Sequence, residues 1–466
     1  MTTKKSGSQR SIVAFIHTYQ ADGKFDPYME SVIHAFKDAG FKLYVIKTND
    51  LVEHLWATRI KRSVSEKKLI AFINDINPLF IFSTNRGGIS QGVLAQTKSP
   101  IITRMVDLIP FTHHGGTDHA LFCDRDLVFV PTQESVNAFE KRYPVLKGKV
   151  YYLPFATDPD SFDAAKDVDK DIPVSFVGTY FYCEQLTKIL KTLQHGNHKK
   201  LDLFLRFVRD LKDDFHIENK LLDVDLQALC HDLNMSLDDM RMLVSNGYAL
   251  NKRIRYLDAI ADMGLQLFGT DNWIQANQYS LPLLSCFQFD ERIDDRESLI
   301  RLYQRSKIAL NIPHHQAGPG MPYRVYDIMA SSALLITEYH ADSELYALFG
   351  KEMPIPMYRN AEDLRRLVEY YLEHEEERLE IVAKCNALIR EKKLTFQDRA
   401  RAYGAAVGVD TRLNQAGLVE YVDQYKFLIP FSWLLPSRRK IIGRIKVIAG
   451  WLIPHRLWEW LVEMRR

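Results

Sequence analysis

The chain has 466 residues, of which 46% are hydrophobic and 26% charged, and its formal net charge is +2. Because a single hydrophobic core stops growing near roughly 250 to 300 residues, this length indicates two domains with additional segments. The sequence excludes a membrane-spanning helix, since no run approaches ~20 apolar residues. Residues 1–10 are polar and basic, unlike a signal peptide, and the five scattered cysteines include no CxxC pair, so a reducing cytoplasm is expected.

The first third of the chain alternates between strand and helix patterns. Four short apolar runs predict strands, at 12–16, 42–46, 79–83 and 127–131. Two segments between them, at 27–39 and 65–76, and one after the last of them, at 133–143, have helical periodicity. Strands joined by helical crossovers form parallel sheets covered on both faces. A disordered lead at 1–10 is therefore expected to precede a Rossmann-like domain at 11–150.

A second alternating region follows a polar boundary near residues 151–170. Its apolar runs predict strands at 174–177, 265–268, 308–312 and 334–337. Residues 184–251 have helical periodicity and hardly any strand signal. We therefore predict a second Rossmann-like domain at 171–403 that carries a helical insertion at 184–251.

The segment 306–337 has the pattern of an anion-binding turn. A predicted strand leads into a loop with His314 and Gly320, and Pro322 opens a helix whose first backbone N–H groups favour an anion. Arg324 in the first turn is suited to a bidentate phosphate contact, and Asp327 to hydrogen bonds from ribose hydroxyls. The same strand, loop and helix also occur in α/β proteins that bind nothing there, so the pattern alone leaves both readings open.

The segment resembles the donor-binding region of GT-B glycosyltransferases, in particular the spore-maturation (CgeB-like) branch and the glycosyl transferases group 1 family. The matching strand and helix positions are Ser306, Lys307, Ile308, Leu310 and Asn311, then Arg324, Val325, Asp327 and Ala330. Further similar motifs are the interdomain Tyr152–Leu153–Pro154, the Phe176–Val177–Gly178 that opens the second domain, and the segment with Arg255, Leu257 and Gly269.

The resemblance implies an α/β GT-B fold of two facing Rossmann-like domains with parallel sheets. It also implies a nucleotide-diphosphate-sugar as substrate, with no cofactor and no metal. The implied donor-binding residues are Gly178, Thr179, Arg255, Gly269, Asn311, His314, Gly320, Tyr323, Arg324 and Asp327. Many retaining relatives carry a Glu-x7-Glu pair, but Pro319 stands eight positions before Asp327. Retention or inversion of the anomeric centre therefore stays open.

An inverting enzyme of this class needs a general base in the first domain to deprotonate the acceptor hydroxyl. His17 and Asp107 are the favoured candidates, because they follow predicted strands and open α/β sheets bind ligands at the carboxyl ends of strands. The segment 113–119, HHGGTDH, also admits a metal site. A glycine-hinged acceptor loop is the favoured interpretation, since GT-B enzymes generally work without a bound metal.

The C-terminal segment is strongly basic. From Lys426 to Arg466, nine lysines and arginines oppose two glutamates, which gives this segment a charge of +7. Residues 404–466 are predicted to form a helical tail that is amphipathic and binds an anionic membrane surface. The membrane-binding residues would be Arg438, Arg439, Lys440, Arg444, Lys446 and Trp451. A last helix that packs back onto the protein is the alternative, and the absence of a recognition motif argues against nucleic acid.

Together, these patterns and the resemblance predict a cytoplasmic glycosyltransferase at the inner face of the cytoplasmic membrane. It would move a sugar from a nucleotide-sugar to a glycan or lipid-linked acceptor in cell-surface polysaccharide or glycoconjugate assembly. Two alternatives remain: a non-catalytic GT-B-like scaffold of a polysaccharide-assembly complex, and a nucleotide-sugar epimerase.

Overall fold

The computed structural model describes most of the chain and shows two separate β-sheets. The described residues are 11–17, 25–52, 60–107, 122–162, 168–181, 184–196, 198–213, 224–314, 317, 320–350, 353–409 and 416–429. Of the predicted regions, the segment 113–119 and the basic residues 438–451 lie outside these ranges.

The first sheet belongs to the N-terminal domain. Its strands are β1 (Ser11–Ile16), β2 (Lys42–Lys47), β3 (Ile81–Thr84), β4 (Ile101–Arg104), β5 (Asp126–Val130), β6 (Val150–Tyr152) and β12 (Leu418–Tyr421). They lie in the order β12-β2-β1-β3-β4-β5-β6, and every neighbouring pair is parallel. The central strands are buried on both faces, which explains why they appear in the sequence as continuous apolar runs.

The second sheet is also parallel throughout its described pairs. Its strands are β7 (Ile172–Val177), β8 (Leu265–Phe268), β9 (Ser306–Asn311), β10 (Leu334–Glu338) and β11 (Met357–Tyr358). Their order is β11-β10-β9-β7-β8. The strand order reverses between β1 and β3 in the first sheet and between β7 and β9 in the second. Ligands of open α/β sheets bind outside the carboxyl ends of strands at such reversals.

Helices cover the sheets and connect their strands. Their bounds are α1 (Pro27–Asp38), α2 (Thr48–Leu51), α3 (Glu66–Ile76), α4 (Gln91–Gln96), α5 (Gln133–Arg142), α6 (Pro159–Phe162), α7 (Glu184–Gly196), α8 (His198–Asp213), α9 (Val224–Asp232), α10 (Leu237–Asp258), α11 (Leu281–Ser285), α12 (Arg296–Arg305), α13 (Tyr323–Ala330), α14 (Glu344–Phe349), α15 (Ala361–Glu373), α16 (Glu375–Glu391) and α17 (Phe396–Ala406). None of the helices in the described ranges is both long and apolar enough to cross a membrane.

The helical insertion has a small core of its own. Helices α7, α8, α9 and the first half of α10 bury apolar side chains that include Phe204, Phe207 and Met240. Helix α10 does not end with the insertion at residue 251, because its last turns pack Tyr256 and Leu257 into the main core. One continuous helix therefore connects the insertion to the second sheet.

The segment after residue 403 differs from the predicted helical tail. Helix α17 ends at Ala406 and packs against α1, and β12 then pairs with β2 at the edge of the first sheet. Gly417 permits this pairing, since a Cβ there would lie 1.8 Å from the carbonyl oxygen of Phe41. Phe427 is buried against Phe72 of α3. Residues 416–429 thus belong to the first domain, and only residues from 430 onward remain for the predicted membrane-binding tail.

Candidate functional site

A cavity of about 190 Å³ lies between the two domains. Its walls come from the loops that follow β4, β5 and β9 and from the start of α13. The lining residues are Val106, Asp107, Pro131, Thr132, Phe155, Arg253, Asn311, Ile312, Pro313, His314, Ala317, Gly320, Met321, Pro322, Tyr323 and Arg324. Carboxyl ends of strands from both sheets thus face one space, as in a cleft for a ligand that both domains bind.

A second pocket adjoins this cavity at Arg324, which lines both. It lies on the second domain beside the ends of β7 and β8, and its volume is about 510 Å³. Gly178, Thr179 and Gly269 line it together with a polar wall that includes Asp271. Arg324 therefore stands where a ligand that extends through both spaces would pass.

Two arginines without a carboxylate partner meet at this junction. The guanidinium carbons of Arg253 and Arg324 each lie 5.6 Å from the centroid of the Phe176 ring. Arg253 is 4% exposed and donates to the carbonyl oxygen of Thr179. Its Nε is buried without a hydrogen-bond partner, and within the described ranges neither arginine forms an ion pair.

Burial and, to a smaller extent, the charge of Arg324 lower the pKa of Arg253 to about 9. A guanidinium remains charged at neutral pH. Two uncompensated cations in a partly buried site therefore favour binding of an anion, and the planar guanidinium matches the geometry of phosphate oxygens.

The start of α13 adds backbone donors to this site. Its N-cap residue Pro322 provides no side-chain cap, and the N–H of Val325 donates to the carbonyl of Pro322, which leaves the N–H groups of Tyr323 and Arg324 without an intrahelical acceptor. Gly320 itself donates to Ala317, so its amide is occupied. A Cβ at Gly320 would lie 2.5 Å from Cγ2 of Thr132 in the opposite domain. Gly320 thus permits the close approach of the two domains rather than donating to a ligand.

Gly178 and Gly269 hold the ends of β7 and β8 together. The amide of Gly178 donates to Phe268, and its carbonyl accepts from the indole nitrogen of Trp273 at 2.7 Å. A Cβ at Gly269 would lie 2.3 Å from that same carbonyl oxygen. The amide and the carbonyl of Gly178 are therefore both occupied, whereas Thr179 is exposed in the adjoining pocket that both residues line, and their contact with the donor phosphates stays a prediction.

The structure places Asp327 and Tyr323 in the junction between the domains. Asp327 is fully buried and accepts from Oγ1 of Thr157 at 2.7 Å, and it does not line the cavity, so its expected ribose contact stays a prediction. The ring of Tyr323 lines the cavity but is stacked between Tyr28 and Phe155, with centroids 4.3 and 4.1 Å away. Residues in the first turns of α13 therefore connect the domains as well as bordering the site.

Arg255 does not belong to the cavity. Its exposed guanidinium lies 4.9 Å from the ring of Tyr256, whereas Arg253 points into the site from the same helix. Residues two apart on a helix project about 200° from each other, so only one of them can face the cleft. Arg253, which the sequence analysis did not name, is therefore the arginine of the sequence R-I-R that faces the cavity, and the donor contact of Arg255 stays a prediction.

Asn311 and His314 line the cavity wall formed by the second domain. The amide nitrogen of Asn311 donates to Thr337 at 2.9 Å, and its Oδ1 is buried without a hydrogen-bond partner. His314 shares a hydrogen bond of 3.0 Å with Asn246 of α10, so the helical insertion supports this wall directly.

Of the two candidate bases, Asp107 lines the cavity and His17 does not. Asp107 accepts from the amide nitrogen of Asn85 at 2.7 Å. His17 follows β1 and is 3% exposed, and burial lowers its pKa to about 4, so its imidazole is neutral at pH 7. Within the described ranges no group of histidines, cysteines and carboxylates is arranged to hold a metal ion.

The two parallel-sheet domains that face one cavity have the GT-B architecture. Residues 252–405, about a third of the chain, match the family model described as glycosyl transferase-like (Glyco_trans_1_2), which supports the resemblance to the group 1 glycosyltransferases. The spore-maturation branch stays a prediction. No curated protein matches the sequence.

Solved structures share the two-domain fold at low identity. Anabaena HepE in complex with UDP-glucose aligns with a TM-score of 0.50 and 9% identity, covering 85% of this chain and 99% of the other. Sucrose-phosphate synthase from Thermosynechococcus elongatus aligns with a TM-score of 0.49 and 13% identity, covering 85% and 98%. The similarity to HepE, together with the two parallel sheets, confirms the predicted GT-B fold.

Proposed function

We propose that this glycosyltransferase binds a nucleotide-sugar in the interdomain cavity and transfers its sugar to a glycan or lipid-linked acceptor. The observation that carries the proposal is the pair Arg253 and Arg324, two cations over one ring with no described carboxylate partner. Such a pair is costly unless an anion completes it. A diphosphate has the charge and the oxygen geometry to do so. The similar HepE structure holds UDP-glucose, which supports this ligand class.

The chemistry divides between the two domains. As the bond between the anomeric carbon and the diphosphate breaks, its electron pair moves to the phosphate oxygen, where Arg253, Arg324 and the start of α13 stabilise the added charge. From the opposite wall, Asp107 accepts the proton of the attacking acceptor hydroxyl. A direct attack of this kind inverts the anomeric centre, so NMR of the product would test this step separately.

Calorimetry of the full chain with UDP, GDP, ADP and their sugars tests the proposal. A transferase should bind a nucleoside diphosphate and release it from the matching nucleotide-sugar, with faster release when an acceptor is present. A scaffold would bind none of these ligands. An epimerase would convert the nucleotide-sugar to its isomer without releasing the diphosphate.

We also propose that residues 430–466 bind an anionic membrane surface, which would place the enzyme at the inner face of the cytoplasmic membrane in cell-surface polysaccharide assembly. The +7 charge of the segment from Lys426 and its tryptophans support this location. Because Phe427 is buried in the first domain, a truncation that tests the tail should end at Ile429.

A further inference from the structure

A buried asparagine, Asn85, lies directly behind the candidate base. Its amide nitrogen donates to Oδ2 of Asp107 at 2.7 Å, and its Oδ1 accepts from the backbone of Val106 at 2.7 Å and of Asp107 at 3.2 Å. The backbone N–H of Asn85 donates to Arg104 at 2.9 Å. One side chain that is 1% exposed thus fixes both the backbone and the carboxylate of Asp107.

The backbone at Asn85 has a conformation that few residues adopt. Asn85 has φ 48° and Arg86 has φ 66°, so two consecutive residues other than glycine are left-handed. Asparagine tolerates this region better than most residues, whereas arginine does not. Such conformations persist only where the surrounding structure enforces them, and they concentrate at functional sites.

Arg86 supplies the enforcing contacts. Its guanidinium donates to both carboxylate oxygens of Asp126, at 2.5 and 3.1 Å, and to the hydroxyl of Thr103 at 3.1 Å. The ring of Phe122 covers it at 4.6 Å. Arg86 and Asp126 are 1% and 0% exposed, so this ion pair is shielded from solvent. The pair holds the turn after β3 in the conformation that directs Asn85 toward Asp107.

We propose that Asn85 is a positioning residue for glycosyl transfer: it fixes the rotation of the Asp107 carboxylate in the cavity wall so that the carboxylate meets the acceptor hydroxyl. Asparagine suits this position because it accepts from backbone amides and donates to a carboxylate at once. Aspartate could accept but could not donate to the ionised Asp107. This inference rests on the proposed function, in which the Asp107 carboxylate takes the acceptor proton.

The test compares three single variants and one double variant of the full chain. Asn85→Gly removes the carboxamide, and glycine adopts a positive φ without strain, so the fold should be retained. Asn77→Gly is the matched control, because Asn77 is also left-handed, at φ 47°, but lies exposed at the end of α3. Asp107→Asn removes the proposed base. The variant that combines Asn85→Gly with Asp107→Asn completes a double-mutant cycle between the two residues.

Turnover is measured as nucleoside diphosphate release from the nucleotide-sugar that the wild-type chain cleaves fastest, and UDP or GDP affinity is measured by calorimetry. Asn85→Gly should lower kcat about 10- to 100-fold, because loss of orientation by about 1 Å has effects of this size. The nucleotide Kd should stay within about twofold, since Asn85 does not line the cavity. Asn77→Gly should match wild type in both measurements.

The double variant distinguishes positioning from a structural role. If Asn85 acts through Asp107, adding Asn85→Gly to Asp107→Asn should cause no further loss of kcat. A further loss of the full size of the single variant, or wild-type kcat in Asn85→Gly, would overturn the inference. Wild-type kcat in Asp107→Asn would instead refute the proposed base itself.

Discussion

Replacing Arg253 by methionine should separate stability from ligand binding. Burial and the neighbouring Arg324 lower the pKa of Arg253 from 12.5 to about 9, which corresponds to an unfavourable free energy of roughly 4–5 kcal/mol for the buried charge. The hydrogen bond to Thr179 and the ring contacts with Phe176 and Phe181 offset about 2–3 kcal/mol of this. Arg253→Met should therefore raise the free energy of unfolding of the ligand-free protein by about 1–3 kcal/mol.

The same substitution should weaken nucleotide binding. A hydrogen bond to a charged group contributes about 1.5–3 kcal/mol, so the loss of one guanidinium contact should raise the Kd for a nucleoside diphosphate roughly 10- to 150-fold. Urea unfolding without ligand and calorimetry with UDP and GDP measure the two effects. Arg255→Met is the matched control, because Arg255 is exposed on the other side of the same helix and should change neither value by much.

The two effects have opposite signs, because the free energy of unfolding should rise while the affinity for the nucleotide falls. A destabilised Arg253→Met protein that binds UDP and GDP as tightly as wild type would show that the arginine is a structural residue. Equal losses in Arg253→Met and Arg255→Met would show that α10 as a whole, and not the orientation of one guanidinium, supports binding.

Three further predictions follow from the described contacts. Burial raises the pKa of Asp327 from 3.8 to about 6, so the folded chain holds this proton more tightly than the unfolded chain. The protonated carboxyl therefore adds to the free energy of unfolding below pH 3.8, and this contribution is lost as the pH rises through 6. Asp327→Asn should remove that loss and raise the free energy of unfolding at pH 7 by about 1–3 kcal/mol in urea titrations. The affinity for the nucleotide should not change. A weaker affinity would instead support a contact between Asp327 and the ribose. Glu344 in the second domain accepts two hydrogen bonds from the first domain, from the backbone N–H of Gln133 at 3.0 Å and from the hydroxyl of Tyr152 at 2.5 Å. Glu344→Ala should therefore lower the free energy of unfolding by about 1–3 kcal/mol and increase the radius of gyration in X-ray scattering. An unchanged radius would argue against a contact that holds the domains together. A chain that ends at Ile429 should lose co-sedimentation with vesicles rich in anionic lipid but keep nucleotide binding, and retained co-sedimentation would exclude the tail as the membrane-binding segment.

The sequence alone predicted the fold well because parallel strands buried on both faces leave continuous apolar runs. Strands β1, β2, β7 and β9 begin within two residues of their predicted positions. Strand β12 was not predicted, because its residues are mostly exposed at the edge of the sheet and form no apolar run. Pairing of β12 with β2 depends on the missing side chain of Gly417, which a local pattern cannot reveal.

The site was predicted less completely, because a motif identifies a helix turn but not the direction of each side chain. Arg324 lies at the junction of the two pockets, whereas Asp327, one turn later on α13, faces the buried junction of the domains. Asn85 was missed because its role depends on a left-handed backbone and on contacts with a loop 21 residues away. The sequence NRGG after a predicted strand was the available signal.

The return of the chain to its first domain has a consequence for biosynthesis. Helix α17 packs on α1 and β12 completes the edge beside β2, so part of the N-terminal domain is made from residues 396–406 and 416–429. A ribosome synthesises this chain from its amino end, and domains usually fold as they emerge. The first domain of this chain can therefore be completed only after nearly the whole polypeptide has been translated, and until then β2 has no partner strand on one side.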